Sequence, residues 1–254
     1  MLLVIDAGNS NVTLGLFRGA DLLAQWRLTT ERERSSDEYG AQLRDLFERD
    51  HIDVKQVEAV AIASVVPPLN PSLSRMSEVY FGLTPLFVDH NTVTSLKILY
   101  DSPVELGADR IVDAVAGVAK YGAPCIVVDF GTATTFNAVN AEREYLGGVI
   151  APGIKISAEA LFSRAAKLPP VEIKRPDRVI GTSTVGAMQS GLFYGYAGLV
   201  DGILEKIIAE MEATPRVIAT GGLAPLIAGA SKFIETIDPT LTLDGLRLVY
   251  ERNV

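Results

Sequence analysis

The 254-residue sequence has little of the chemistry that builds disulfide or metal sites. It contains one cysteine, Cys125, and two histidines, His51 and His90. A single cysteine excludes a disulfide within the chain, and its place in an apolar run predicts a buried core thiol. The histidines have no partners at metal-ligand spacing, so no zinc site is predicted.

Positive charge and long apolar runs are also scarce. The chain has 23 lysines and arginines against 31 aspartates and glutamates, which gives a formal net charge of −8. An acidic chain lacks the basic face that nucleic acids and anionic membranes require, so neither is an expected partner. No apolar run approaches the roughly 20 residues of a membrane span, and no signal-peptide pattern opens the sequence. We therefore expect a cytoplasmic protein.

Two similar stretches dominate what is present. Residues 127–135 read VVDFGTATT, and residues 3–13 read LVIDAGNSNVT. In each, an apolar run ends in an aspartate, a glycine and small polar residues, which is typical of a strand that enters a phosphate-facing turn. Asp6 and Asp129 lie about half a chain apart, which indicates two related halves that each contribute one turn.

The order of predicted elements favours an α/β fold with two domains, residues 1–119 and 120–254. Each domain is expected to open with a strand meander and to continue with helices on a mixed sheet. The predicted strands cover residues 2–5, 12–17, 22–28, 57–65, 85–88, 126–129, 135–140, 145–151 and 216–220. The predicted helices cover residues 36–49, with Ser36 at a capped start, and 72–80, 106–121, 154–166, 184–211, 224–230 and a last one from 243. Residues 168–181 are a polar loop that could be a lid or an interface element.

Five motifs carry a resemblance to a known family. They are DAGNSN from Asp6, GADR at 107–110, DFGTAT from Asp129, GGVIAPG at 147–153 and GTSTVGAMQSG at 181–191. Together with the late glycine pair at 221–222, the two aspartate turns resemble the actin-like ATPase and sugar-kinase superfamily. Within it the chain resembles type III pantothenate kinases over essentially its whole length. Ser10 stands where that family usually has threonine, and Ser183 where asparagine is expected.

The resemblance implies two actin-like, ribonuclease-H-like domains with a nucleotide cleft between them and the glycine pair on the adenosine side. It implies phosphorylation of pantothenate by ATP, the first step of coenzyme A synthesis, in a homodimer that needs Mg²⁺ and a monovalent cation, K⁺ or NH₄⁺. Asp129 matches the monovalent-cation ligand, and Asp6 is the candidate to hold Mg²⁺, directly or through water. The residues that the resemblance assigns to ATP are Asp6, Ala7, Gly8, Asn9, Ser10, Asn11, Val12, Thr13 and Thr132.

The GADR motif is the predicted acceptor site. Pantothenate carries a carboxylate, an amide and the hydroxyl to be phosphorylated, so its site needs a cation and a group that accepts the hydroxyl proton. We interpret Asp109 as the general base and Arg110 as the charge partner. A structural alternative is an aspartate that stabilises a helix N-terminus beside a solvated arginine. The residues that the resemblance assigns to pantothenate are Tyr100, Gly107, Ala108, Asp109, Arg110 and Thr184, and with a site at the dimer interface Tyr100 and Thr184 could act from opposite subunits.

Two other functions remain open from the sequence. Another small-molecule kinase or ATPase on the same fold would share the aspartate turns but not the combination of GADR, Tyr100 and Thr184. A catalytically silent regulatory homologue would keep the fold, and the intact Asp6, Asp109 and Asp129 argue against it.

Overall fold

The computed structural model describes all 254 residues as a mixed α/β chain. The strands are β1 (Leu2–Ala7), β2 (Asn11–Arg18), β3 (Asp21–Thr29), β4 (Ala59–Ser64), β5 (Leu86–Phe87), β6 (Lys97–Ile98), β7 (Cys125–Phe130), β8 (Ala133–Val139), β9 (Glu144–Pro152), β10 (Arg216–Thr220) and β11 (Thr236–Ile237). The helices are α1 (Ser36–Arg49), α2 (Asn70–Phe81), α3 (Ala108–Tyr121), α4 (Ile154–Arg164), α5 (Thr184–Glu210), α6 (Ala224–Ile227) and α7 (Leu241–Arg252). None of the helices combines the length and apolar character needed to cross a membrane.

The two sheets repeat one topology, as the paired turns predicted. The first has the order β3-β2-β1-β4-β5, and the second has the order β11-β10-β7-β8-β9-β6. In the first, β1 pairs antiparallel with β2 and parallel with β4. In the second, β7 pairs antiparallel with β8 and parallel with β10. Each aspartate turn therefore follows a central strand of its own sheet.

Each sheet packs its apolar face into a separate core. Leu3, Ile5 and Leu14 belong to the first core, while Ile126, Val128 and Phe136 belong to the second. These residues alternate along their strands, as expected when successive side chains point to opposite faces of a sheet. Cys125 is fully buried, and burial raises the pKa of its thiol to about 12. The prediction of a core thiol is confirmed.

The chain forms two compact units. The first contains Met1–Ser95, Asp101–Ala116 and Thr242–Val254, and the second contains Leu96–Tyr100 and Gly117–Leu241. The C-terminal helix α7 thus groups with the first unit, where a Cβ on Gly245 would overlap the carbonyl oxygen of Val112 in α3. This close backbone approach requires glycine. The predicted division at 119/120 remains a prediction, and it differs from these units in where it assigns residues 96–100, residues 117–119 and α7.

Local details of the predicted elements needed correction. Helix α1 is capped by Ser35 rather than Ser36, because the Ser35 hydroxyl accepts the Glu38 amide and the Glu38 carboxylate accepts the Ser35 amide. This reciprocal pair is a capping box. The two-residue strands β6 and β11 were not predicted, since each is too short to show a period.

Asp238, just after β11, anchors the C-terminal end of α3 within the second unit. It accepts a hydrogen bond of 2.8 Å from the Tyr121 hydroxyl and lies 2.6 Å from the Lys120 ammonium nitrogen. Burial alone would raise the pKa of Asp238, but the hydrogen bonds from Lys120 and Tyr121 and the Lys120 charge outweigh burial and lower it. Because the pKa falls on folding, the stabilisation is present above the ordinary value of 3.8 and is lost as pH falls through the lowered value.

We expect Asp238→Asn to lower the free energy of unfolding at pH 7 by about 1–3 kcal/mol, because a buried hydrogen-bonded charge pair is broken. Urea unfolding at pH 7 and pH 3 measures the effect. The loss should shrink at pH 3, and Asp177→Asn on the exposed 168–181 loop should change stability little at either pH. An equal loss for Asp238→Asn at both pH values would contradict this account.

Candidate active site

The first aspartate turn lies between β1 and β2. Asp6 is the penultimate residue of β1, where it pairs with Thr13 of β2. The Gly8 amide donates to the Asn11 carbonyl over 3.0 Å and closes the turn, which leaves Asn9 and Ser10 exposed at its tip. Exposed backbone amides and small polar side chains in a tight turn are the groups that bind phosphate oxygens.

Thr30 braces this turn and was not identified from the sequence. Its hydroxyl donates to the Gly8 carbonyl over 2.6 Å, and its amide donates to the Ser10 carbonyl over 3.1 Å. Thr30 lies twenty or more residues from its partners, directly after β3. Only the pairing of β2 with β3 brings it there, so the local sequence carries no signal of its role.

The second aspartate turn lies between β7 and β8. Asp129 pairs with Thr135 across the hairpin and with Thr220 of β10. Gly131 closes the turn by donating its amide to the Ala133 carbonyl over 3.1 Å. Thr132 follows at the tip, and its carbonyl accepts the Gly153 amide over 3.1 Å. The turn is therefore fixed by the same kind of backbone hydrogen bond as the first.

The Asp129 carboxylate is enclosed by glycines. A Cβ on Gly131 would lie 3.2 Å from Asp129 Oδ2, and a Cβ on Gly221 would overlap Asp129 Oδ1. Gly221 also has a φ of +90°, which L side chains rarely adopt. Glycine at these two positions therefore avoids a steric clash with each carboxylate oxygen.

The donor chemistry of both turns fits hard cations. Carboxylate, hydroxyl and carbonyl oxygens are the ligands that Mg²⁺ and similar ions prefer. The chain gathers no group of three or more histidine, cysteine, aspartate or glutamate side chains that could enclose a metal. Mg²⁺ in phosphoryl-transfer enzymes is commonly held by one or two carboxylates together with phosphates and water, so a single carboxylate in each turn, Asp6 or Asp129, fits such ions.

The GADR motif forms the start of α3. Gly107 precedes the helix, and its carbonyl accepts the amides of Arg110 and Ile111 over 3.1 and 3.2 Å. Asp109 Oδ1 accepts the Arg110 amide over 2.7 Å, so the aspartate does stabilise the first turn of the helix, as the structural alternative proposed. A Cβ on Gly107 would lie 2.5 Å from this oxygen, which explains the glycine.

Partial burial distinguishes Asp109 from an ordinary aspartate in the first turn of a helix. Burial raises the pKa of Asp109, while the hydrogen bond from the Arg110 amide and the Arg110 charge offset part of the rise. The neighbouring Arg110 side chain is itself buried, with 5% of its surface exposed. The arginine is therefore not the solvated charge that the structural alternative assumed. A carboxylate with a raised pKa beside a buried cation is a common feature of active sites.

The remaining predicted acceptor residues, Tyr100 and Thr184, lie in the second unit. Tyr100 follows β6 and is partly exposed. Thr184 is the first residue of α5 and is exposed, while Ser183 caps this helix by accepting the Gly186 amide over 3.1 Å. Ser183, which stands where asparagine was expected, is therefore the N-cap of α5, and Thr184 is its first helical residue. Thr184 also lines a largely apolar cavity of about 610 Å³ between α4 and α5.

Solved structures with a similar fold have low sequence identity to the chain. A Campylobacter jejuni protein described as a Baf family transcriptional activator has a TM-score of 0.60 at 19% identity, covering 99% of this chain and 98% of its own. The activator of 2-hydroxyisocaproyl-CoA dehydratase from Clostridium difficile, solved with ADPNP bound, has a TM-score of 0.59 at 10% identity, covering 98% and 93%. These similarities support the actin-like ATPase and sugar-kinase fold class and say nothing of activity.

Sequence relatives are far closer. The family model for type III pantothenate kinase matches residues 2–206. Type III pantothenate kinases from Koribacter versatilis and Geobacter sulfurreducens are each 54% identical to the chain, cover all of it, and are themselves covered over 96% and 99% of their lengths. The chain belongs to the type III pantothenate kinase family.

Proposed function

We propose that the chain phosphorylates pantothenate with ATP to give 4′-phosphopantothenate, the first step of coenzyme A biosynthesis, with Asp109 as general base. The observation that carries this proposal is 54% identity to type III pantothenate kinases over the full chain. The Asp109 carboxylate is partly buried and its pKa is raised by desolvation, which supports the assignment of the base. Localisation in the cytoplasm is part of the same proposal.

The transfer is a direct in-line displacement. The pantothenate hydroxyl oxygen bonds to the γ-phosphorus of ATP, the bond from that phosphorus to the bridging oxygen breaks, and ADP leaves. The hydroxyl proton passes to the Asp109 carboxylate. Because such transition states are loose, proton removal contributes less than positioning and charge neutralisation. The base effect therefore belongs at the lower end of the usual range for acid-base catalysis.

The two aspartate turns bind the nucleotide in this proposal. The backbone and side chains of residues 6–13 contact ATP, and so does Thr132. Asp6 holds Mg²⁺, directly or through water, and Asp129 holds K⁺ or NH₄⁺. When bound, these cations neutralise phosphate charge. Gly131 and Gly221 support the second assignment because a Cβ at either position would crowd or overlap an oxygen of the Asp129 carboxylate.

Pantothenate is bound by the GADR residues 107–110 together with Tyr100 and Thr184. Arg110 supplies the positive charge that an anionic substrate or its transferred phosphate requires. The cavity beside Thr184 is largely apolar, so the charged end of pantothenate needs the GADR motif rather than this cavity.

Self-association into a homodimer, with the substrate site at the interface, is also proposed. Large apolar side chains near the α5 start are exposed, among them Ile180 at 80%, Val185 at 42% and Leu161 at 40%. Apolar surface of this kind is typical of a protein interface. Gel filtration with light scattering should give twice the chain mass of 27.2 kDa, and a monomer at assay concentrations would contradict the dimer.

Thr30→Val should weaken ATP binding because it removes the hydroxyl that holds the Gly8 carbonyl while keeping the side-chain shape. One lost hydrogen bond corresponds to about a fivefold rise in the KM for ATP. Steady-state kinetics should show the KM for pantothenate unchanged. Thr92→Val, which removes a loop hydroxyl outside the proposed site, is the control. An unchanged KM for ATP in Thr30→Val would show that the hydrogen bond from Thr30 to the turn does not contribute to ATP binding.

Acceptor choice tests the proposed function against the other kinases of this fold. ADP release by the purified protein should require pantothenate and should not be supported by glucose or N-acetylmannosamine. Turnover with a sugar and none with pantothenate would favour the alternative kinase. If none of the acceptors tested supports turnover, the silent homologue would be favoured.

A further inference from the structure

Asn137 and Tyr145 form a buried polar pair in the second sheet, next to the segment that carries Tyr100. Asn137 of β8 is fully buried, and Tyr145 of β9 has 1% of its surface exposed. The Tyr145 hydroxyl donates to Asn137 Oδ1 over 3.0 Å, and Asn137 Nδ2 lies 3.5 Å from Thr135 Oγ1. A buried amide is costly unless its groups are hydrogen-bonded, so this pair fixes the tyrosine ring in one orientation.

Tyr100 is held beside Tyr145 by a backbone hydrogen bond of its neighbour Leu99 and by a contact between the two rings. The Leu99 amide donates to the Tyr145 carbonyl over 3.0 Å, which continues the parallel pairing of β6 with β9. The rings of Tyr100 and Tyr145 have centroids 6.3 Å apart at 54°, a tilted contact. Such aromatic contacts favour one relative orientation of the two rings.

A glycine of β9 also lies near the Tyr100 ring. Gly147 has a φ of +127°, and a Cβ built on it would lie 3.8 Å from the Tyr100 ring. The backbone of β9 thus bends beside the ring in a conformation that favours glycine. The Tyr100 ring therefore contacts Tyr145 and lies close to Gly147, whereas Asn137 is hydrogen-bonded to Tyr145.

We propose that Tyr145 and Asn137 are positioning residues for pantothenate, acting through the Tyr100 ring. The inference rests on the proposed function, because it takes Tyr100 as a substrate contact. Neither Tyr145 nor Asn137 contacts substrate in this proposal. Their effect is to reduce the orientations that Tyr100 samples before pantothenate binds, which lowers the cost of ordering the site.

Tyr145→Phe tests the inference because it keeps the ring and removes the hydroxyl that Asn137 accepts from. We expect the KM for pantothenate to rise about fivefold, as for one lost hydrogen bond, with kcat and the KM for ATP within twofold. Asn137→Ser is a second variant that weakens the hydrogen bond to Tyr145, and it should also raise the KM for pantothenate. Tyr121→Phe is the matched control, since it removes another tyrosine hydroxyl from a hydrogen bond in the same unit and should leave all three constants within twofold.

A double variant separates this inference from the proposed function. If Tyr145 acts through Tyr100, Tyr145→Phe should raise the KM for pantothenate less than twofold when Tyr100 is already replaced by leucine. If the effects of Tyr145→Phe and Tyr100→Leu on this KM are fully additive, the inference is wrong but the proposed function stands. The same conclusion follows if the KM for pantothenate is unchanged in both Tyr145→Phe and Asn137→Ser. An unchanged KM in Tyr100→Leu overturns the substrate role of Tyr100 and this inference with it. Absence of pantothenate-dependent turnover in the wild type overturns the function itself.

Discussion

Asp109→Asn is expected to lower kcat about 10²-fold while the fold is kept. The amide retains the shape and an oxygen that can still accept the Arg110 amide, but it cannot take the hydroxyl proton. Kinetics with saturating ATP and pantothenate measure the loss, and circular dichroism checks the fold. A variant with near-full kcat would remove Asp109 from the proton transfer.

The same variant carries a pH signature. Because burial raises the pKa of Asp109, the acid limb of kcat/KM in the wild type should lie above the ordinary aspartate value of 3.8 and should be absent in Asp109→Asn. The raised pKa also means that ionised Asp109 destabilises the fold as pH rises through that pKa. We therefore expect Asp109→Asn to have an equal or higher Tm at pH 7, with any gain vanishing below pH 3.8. A clear drop in Tm at pH 7 would indicate a structural role.

Gly221→Ala is expected to reduce kcat/KM about 10²-fold, the typical cost of displacing a catalytic geometry by about 1 Å. A Cβ at this position would overlap Asp129 Oδ1 and lie 2.7 Å from the Phe130 amide nitrogen, so the end of β7 must move. The concentration of K⁺ that half-activates the enzyme should rise as well. Assays across a K⁺ series measure both effects.

Gly122→Ala is the matched control for this substitution. Gly122 has a φ of +87°, close to the +90° of Gly221, but a Cβ there would meet nothing within 4 Å. Both variants should lose about 1–2 kcal/mol of stability from left-handed backbone strain. Only Gly221→Ala should lose activity and K⁺ response. Equal activity in the two variants would show that Asp129 tolerates the displacement.

Strong local patterns predicted most of the fold. Strand β10 was predicted with its exact bounds, because four apolar or β-branched residues after Arg216 are followed by a glycine pair. The shared topology of the sheets followed from the two aspartate turns. The grouping of α7 with the first unit could not be predicted, since it depends on a backbone contact between Gly245 and Val112, which are far apart in sequence.

The residues of the candidate site also divide into those that local motifs identify and those that only the fold places. Asp6, Asp109 and Asp129 are part of contiguous motifs and could be named from the sequence. Thr30, Asn137 and Tyr145 could not, because strand pairing alone brings them to their partners. An asparagine in an apolar strand gives no indication of its hydrogen-bond partner eight residues away.

Product analysis is the most direct test of the central claim. The purified protein is incubated with ATP, Mg²⁺ and pantothenate in K⁺ and, separately, in NH₄⁺ salts, and the products are identified by mass spectrometry. The account predicts ADP and pantothenate carrying one added phosphoryl group on its primary hydroxyl, in equal amounts. Absence of phosphopantothenate in every salt, with the protein folded, would contradict it.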